Sequence, residues 1–321
     1  MDYKSSNIRL WSRLGSCGAL GQAALELGET NDKVVFITSD LCFYSGLDRF
    51  NAKFPDKLYN VGIAEQNMVN IAAGMAKEGF IPFATTYATF AAMRCADQVR
   101  VSMGYMKLGV KLIGLTAGLS VGILGPTHMS IEDIAIMRSI PNIIILSPAD
   151  CTESIKAILA ASETDEPVYI RLTGGMPNPI VYKEDYDYKI GKAITLKDGS
   201  DIIIYATGTM VYNSLKAAEI LAEQGISAKV VDIHTIKPID RETINDNLNY
   251  KMIFTVEEHS TIGGLGSAVA ECLSETDVKI NMIGLHDQYD HAADYNYLIE
   301  KNGLDATGIA KRIIRKYKEL D

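Results

Sequence analysis

Residues 59–90, YNVGIAEQNMVNIAAGMAKEGFIPFATTYATF, put one acid, Glu65, at the head of an apolar helix and follow that helix with a strand and two aromatics. From Glu65 to Lys77 the apolar residues Met68, Ile71, Ala72 and Met75 recur at helical spacing, and the small residues between them let another backbone approach closely. FIPFATT then reads as a short buried strand, with Tyr87 and Phe90 at and just beyond its end. Taken alone, an acid in the first turn is a capping residue that interacts favourably with the helix dipole.

That unit is one step of a longer alternation. KVVFITSD, FIPFATT, VKLIGLTA, NIIILSP and PVYIRL are separated by helix-period segments, which implies a parallel sheet with helical crossovers. The pattern breaks at MPNPIVYKEDYDYKIGK and restarts with DIIIYATG, SAKVVDI, KMIFTVEE and VKINMIGL. The expectation is therefore α/β, with two doubly wound domains covering residues 1–187 and 188–321. In such sheets ligands lie beyond the carboxyl ends of the strands, so those ends are where functional residues are sought.

Composition narrows the class. Of 321 residues 47% are hydrophobic, and 40 acids against 31 bases leave a net charge of −9, which argues against a general nucleic-acid surface and fits a cytoplasmic protein. The basic run KRIIRKYKEL reads as the solvated face of a final helix. Five scattered cysteines form no CxxC pair, so neither a disulfide framework nor a zinc site is indicated. The N-terminus lacks a secretion pattern and no stretch reaches eighteen apolar residues, so no membrane association is expected.

A glutamate beside an apolar, aromatic-lined slot is suited to hydrogen-bond a ring nitrogen. Thiamine diphosphate needs such a group: a carboxyl at N1′ of its aminopyrimidine favours the imino tautomer that deprotonates the thiazolium C2, while an aromatic side chain stacks on the pyrimidine. FITSDL, YNVGIAEQNMVNIAAGMA, TTYATFAAMRCADQVR, GPTHMSIEDIAIMR and PNIIILSPAD, in this order, resemble the pyrimidine-binding half of transketolase, in the form of the separate C-terminal subunit of split bacterial and archaeal transketolases. The second half, with VVDIHTIKPID and TVEEHSTIGGLGSAVAE, resembles the transketolase C-terminal domain.

The resemblance implies roles for particular positions. Glu65 matches the catalytic acid, Phe90 and Tyr87 the aromatic pocket, and Asp40 with Leu41 the positions near the cofactor at the subunit interface. His128 in GPTH matches a histidine that contacts substrate hydroxyls or moves protons. Structural readings stand beside these: Asp40 as a turn residue after its strand, and Tyr87 and Phe90 as core. GGLGS at 263–267 lacks GxGxxG spacing and reads as tight helix–strand packing beside the alternative of a phosphate turn, and His234, His259, His286 and His291 read as structural or interfacial.

The chain contains no GDG and no NN pair, the segment by which the resembled enzymes hold the diphosphate through Mg²⁺, and no metal ligands are assigned to it. It is therefore expected to be half an enzyme. The resemblance implies a partner N-terminal subunit carrying GDG…N, an α2β2 heterotetramer, and transfer of a two-carbon ketol unit from a ketose phosphate or related anionic sugar to an aldehyde. Two departures mark the substrate side: Thr116 in LTAG stands where a histidine is expected, and Leu124 in GILG where an aspartate is expected. Loss of such contacts weakens selection for a hydroxylated substrate, which implies an altered substrate range. Arg13 in RLGS is the candidate for an anionic tail, Gly174 falls near the place of a phosphate-binding arginine, and Arg94 or Arg171 are candidates to compensate. The competing readings are a deoxyxylulose-phosphate-synthase-like carboligase, the β subunit of a 2-oxo acid dehydrogenase, and a non-catalytic regulatory subunit.

Overall fold

The structure, a computed structural model, describes residues 1–319. Six parallel strands build the first sheet: β1 (Val34–Thr38), β2 (Leu58–Asn60), β3 (Ile81–Tyr87), β4 (Lys111–Ala117), β5 (Ile144–Leu146) and β6 (Val168–Thr173), in the order β5-β6-β4-β3-β1-β2. Its central strands are buried on both faces, β1 throughout, which is why they read as continuous apolar runs. The chain leaves β1 towards β2 and then returns to the other side of β1 as β3, so the sheet reverses its winding between β1 and β3. A crevice opens at such a reversal.

The second sheet contains β7 (Ile194–Lys197), β8 (Ile202–Ala206), β9 (Ala228–Asp232), β11 (Met252–Ser260) and β12 (Ile280–Leu285), in the order β12-β11-β8-β9-β7 with only β7 antiparallel. The remaining strand, β10 (Thr235–Lys237), crosses to the first sheet and pairs antiparallel with β5. The periodicity reading omitted β2, β7 and β10, which have three or four residues each; β10 precedes a proline and has no apolar run of its own.

The two halves share a core. Met68, Ala72 and Ile145 belong to the same buried cluster as Val231, Ile233, Ile236 and Val269. On the opposite face of the first sheet, Leu20 and Ala23 of the Ser5–Thr30 helix and Ile155 and Ile158 of the Cys151–Ser162 helix join Phe36 and Phe83. The Ser5–Thr30 helix is interrupted at Gly15, where φ is 72° and ψ −178°. A side chain there would press on Met176.

The glycine cluster at 263–267 has a specific occupant. The Glu257 carboxylate accepts hydrogen bonds from Leu265 N (2.6 Å) and Gly266 N (2.8 Å), so the first turn of the Leu265–Cys272 helix is satisfied by the chain's own acid. Burial pushes that carboxyl up to about 7. A Cβ on Gly264 would overlap Glu257 Oε2, so the close packing expected of these glycines is packing onto an acid.

Candidate active site

The groups at the β1/β3 crevice come from four strand ends. Glu65 is the first residue of the Glu65–Lys77 helix and only 3% exposed. After β3 the helix is wound wide at Phe90–Arg94, with Cys95 N donating to Phe90 O at 3.2 Å across five residues. Arg94 Nη1 donates to Glu65 Oε1 at 2.5 Å, and the Arg94 Cζ lies 4.0 Å from the centre of the Phe90 ring. Glu65, Arg94 and Phe90 thus form one contiguous group, with Glu65 Oε2 accepting no hydrogen bond among the described residues.

His128 joins this group. Its ring centre lies 5.2 Å from that of Phe90 and 5.6 Å from that of Tyr87, both edge to face, and Tyr87 and Phe90 are 6.0 Å apart. Thr127 Oγ1 sits 3.0 Å from His128 Nδ1. Burial pushes the Tyr87 hydroxyl above its ordinary value, so it remains a neutral donor at neutral pH.

The loop that presents His128 is tied at both ends and from outside. Gly118 and Ser130 exchange backbone hydrogen bonds of 2.8 and 3.0 Å. The buried Glu258, at the end of β11, accepts from Leu119 N at 2.7 Å, from Thr209 Oγ1 at 2.8 Å and from the Tyr295 hydroxyl at 2.8 Å. Ala293 N donates to Gly122 O at 3.1 Å. The second domain therefore holds the histidine loop of the first.

Asp40 adopts φ +59° and is clamped by Asn60, which accepts from Asp40 N and donates to Asp40 Oδ1, both at 3.1 Å. Acids tolerate this left-handed conformation because their short side chains bond locally. Leu41 N donates to Thr38 Oγ1 at 3.2 Å, closing the same turn. Thr116, at the end of β4, is also left-handed, with φ +50°, which is costly for a β-branched residue, and its Oγ1 is buried without a partner.

A cavity of about 540 Å³ opens beside Tyr87 and Thr116 and reaches Ser16, Phe43 and Met176. Leu124 and His128 belong to the neighbouring loop and do not line it, and Arg13 is exposed on the interrupted helix and does not line it either. Neither candidate for compensation is free. Arg171 is fully buried and bonded to Asp133 at 2.9 and 3.1 Å and to Glu258 O at 2.8 Å, while Arg94 is paired with Glu65. The sequence reading missed the Arg94–Glu65 pair, the Asn60 clamp and the Glu258 anchor, whose partners are 20 to 139 residues apart in the chain and carry no local signal.

Two α/β domains with an acid, edge-to-face rings and a histidine at the strand ends of the first define the kind of enzyme half that binds the ring of a coenzyme. Residues 16–177 match the transketolase pyrimidine-binding domain and residues 191–309 the transketolase C-terminal domain. The chain is 40% identical to a protein of a Clostridium species named 6-deoxy-6-sulfo-D-fructose transketolase subunit SqwH, covering 92% of this chain and 91% of that one. It is 36% identical to the 1-deoxy-D-xylulose-5-phosphate synthase of Caldanaerobacter subterraneus, of which it spans 48%. A solved structure described as a split-gene transketolase in an inactive β4 tetramer superposes with a TM-score of 0.83 at 39% identity, covering 92% of this chain and 96% of that one. The chain belongs to the transketolase family and corresponds to the C-terminal section of a split transketolase. It is accordingly a transketolase-type transferase that works with a partner subunit, and the family depends on thiamine diphosphate.

The residues present fit the aminopyrimidine of that coenzyme. A buried carboxylate keeps one oxygen without a protein partner among the described residues, and the Arg94 that pairs with it lies on the Phe90 ring. Among the described residues no group of three or more His, Cys, Asp or Glu side chains is placed to hold a metal ion, and no helix is long and apolar enough to cross a membrane.

Proposed function

We propose that this chain supplies the pyrimidine-binding half of a ketol-transferring active site, in which Glu65 and His128 are catalytic and Asp40, Leu41, Tyr87 and Phe90 contact the coenzyme. The single observation that carries the proposal is that Arg94 joins buried Glu65 to the cluster of Phe90, Tyr87 and His128 rings at the reversal point of the sheet. Bound thiamine diphosphate supplies the carbon nucleophile and electron sink for carbon–carbon bond cleavage and formation. Glu65 Oε2 would hold a proton at a ring nitrogen of the bound coenzyme, and Arg94 fixes the carboxylate through Oε1. Phe90 and Tyr87 wall the ring and exclude water. His128 orients substrate hydroxyls and balances protons, from a loop that Glu258 and Ala293 keep in place.

Mg²⁺ and the diphosphate are held by the partner chain through its GDG…N segment, and the assembly is an α2β2 heterotetramer in the cytoplasm. Support for the partner comes from the apolar side chains left on this same face: Phe43 after β1, Ile63 after β2 and Ile123 after β4 are about three-quarters exposed, at 74%, 76% and 75%. The boundary between the two domains is placed at residues 187 and 188. Thr116, with His128 on the neighbouring loop, forms the substrate side, and Leu124 and Arg13 lie outside the cavity.

Calorimetric titration of thiamine diphosphate with Mg²⁺, first into this chain and then into its mixture with the partner, tests the shared site. Tight binding in the mixture alone is expected, and tight binding to the isolated chain overturns it. Glu65→Gln in the assembled complex is expected to lower kcat at least a hundredfold with the fold unchanged by circular dichroism. Near-normal turnover would remove Glu65 from the mechanism.

A further inference from the structure

The cavity beside Tyr87 and Thr116 has a charge pattern that the ketol-transfer reading leaves unexplained. It is walled by the ends of β3, β4 and β6 and by the first turn after the Gly15 break. Among the described residues its only ionic side chains are Asp48 and Arg49, adjacent in sequence, exposed, and opposite in sign. The rest of the wall is uncharged, from Phe43 and Met176 to Thr116, Ser120 and the Gly174–Gly175 backbone. The other cations of this region are outside or committed: Arg13 does not line the cavity, Arg94 is paired with Glu65, and Arg171 with Asp133.

A phosphate or sulfonate placed here would exchange its hydration for one guanidinium beside a carboxylate and for the amides of one helical turn. That is a poor exchange for an anion, because a desolvated charge needs several charge-assisted donors. A hydroxyl, a carbonyl or a methyl end meets no such demand: Ser16 and the Thr116 backbone offer single hydrogen bonds, the Ser120 hydroxyl being engaged with Ala117 O and Gly174 N, and Phe43, Val121 and Met176 offer apolar contact.

We propose that the part of the sugar this chain receives ends in an uncharged group, so that the acceptor aldehyde is a free or deoxygenated sugar rather than its phosphate or sulfonate. This rests on the ketol-transfer reading and names the substrate class of the same site.

The test uses the complex of this chain with its partner, thiamine diphosphate and Mg²⁺. Hydroxypyruvate serves as a phosphate-free donor, and D-glyceraldehyde and D-erythrose are compared with their terminal phosphates and with a sulfonated aldehyde. The expected result is a kcat/KM for the free aldehydes at least equal to that for the anionic ones. Met176→Arg, at an exposed position of the wall, and Thr116→His are each expected to move the ratio at least tenfold towards the phosphates. Calorimetric titration of D-erythrose and D-erythrose 4-phosphate into the same complex reads the preference without turnover. A tenfold or greater preference of the unsubstituted complex for a phosphorylated or sulfonated acceptor overturns the inference and leaves ketol transfer intact. A complex that binds the coenzyme yet never consumes hydroxypyruvate overturns the functional reading and this inference with it.

Discussion

Glu258 ties the histidine loop to the second domain, and its removal has a size that the geometry sets. Glu258→Ala strands three buried donors: Leu119 N, the Thr209 hydroxyl and the Tyr295 hydroxyl. A stranded buried donor costs about 1–3 kcal/mol. The two hydroxyls lie 3.4 Å apart and relax onto each other, whereas the Leu119 amide has no other acceptor, so the total is about 3–5 kcal/mol of unfolding free energy. Glu258→Gln keeps the carbonyl oxygen for Leu119 and turns its amide towards the two hydroxyls, which accept instead, so it costs about 1 kcal/mol. Urea denaturation at pH 7 measures both. The alanine variant is also expected to lower kcat in the assembled complex more than it alters coenzyme affinity, because the loop it frees carries His128 and not Glu65. Equal stability losses in the two variants, or a loss below about 1 kcal/mol for alanine, would refute the anchoring role.

Two further outcomes follow from buried acids elsewhere. Burial pushes Asp232 up to about 7, and burial with repulsion from Asp232 pushes Glu153 well above its ordinary range, with Tyr182 donating to Asp232 at 2.7 Å. The native state therefore keeps protons that the unfolded chain releases from about pH 4, so this pair's stabilisation is full below that pH and is lost as pH rises to about 7. Buried His234 and His259, both lowered to about 4 by burial, act in the opposite sense over an overlapping range, so the diagnostic quantity is a difference. Asp232→Asn is expected to gain stability relative to the unsubstituted chain steadily from pH 4 to 7, and a flat difference curve would exclude the pair. Gly264→Ala drives a methyl into the Glu257 carboxylate and is expected to cost about 3 kcal/mol or more by thermal denaturation, with a change under about 1 kcal/mol showing that the turn yields.

Much of the fold was readable because buried parallel strands are long apolar runs and their crossover helices repeat every three to four residues. The nine strands recognised lie in apolar runs of the sequence, whereas β2, β7 and β10 are short pieces whose strand geometry is imposed by a neighbour. The Glu65–Lys77 helix was placed to the residue, since its apolar spacing and its acid mark the same start. The wide turns at Phe90–Arg94 went unseen because apolar residues there fit an ordinary helix equally well.

By itself the sequence determined the alternation of strands and helices, the acid at the head of one helix, and the aromatics after the next strand. These are properties of local spacing and side-chain chemistry, which a linear string carries in full. Only the tertiary structure decided that Arg94 grips Glu65, that Arg171 is spent on Asp133, that Glu257 fills the glycine turn, and that the second domain holds the His128 loop through Glu258. Each of those depends on which side chains the sheet order brings within hydrogen-bond reach, and a charge shows no partner until the chain has folded around it.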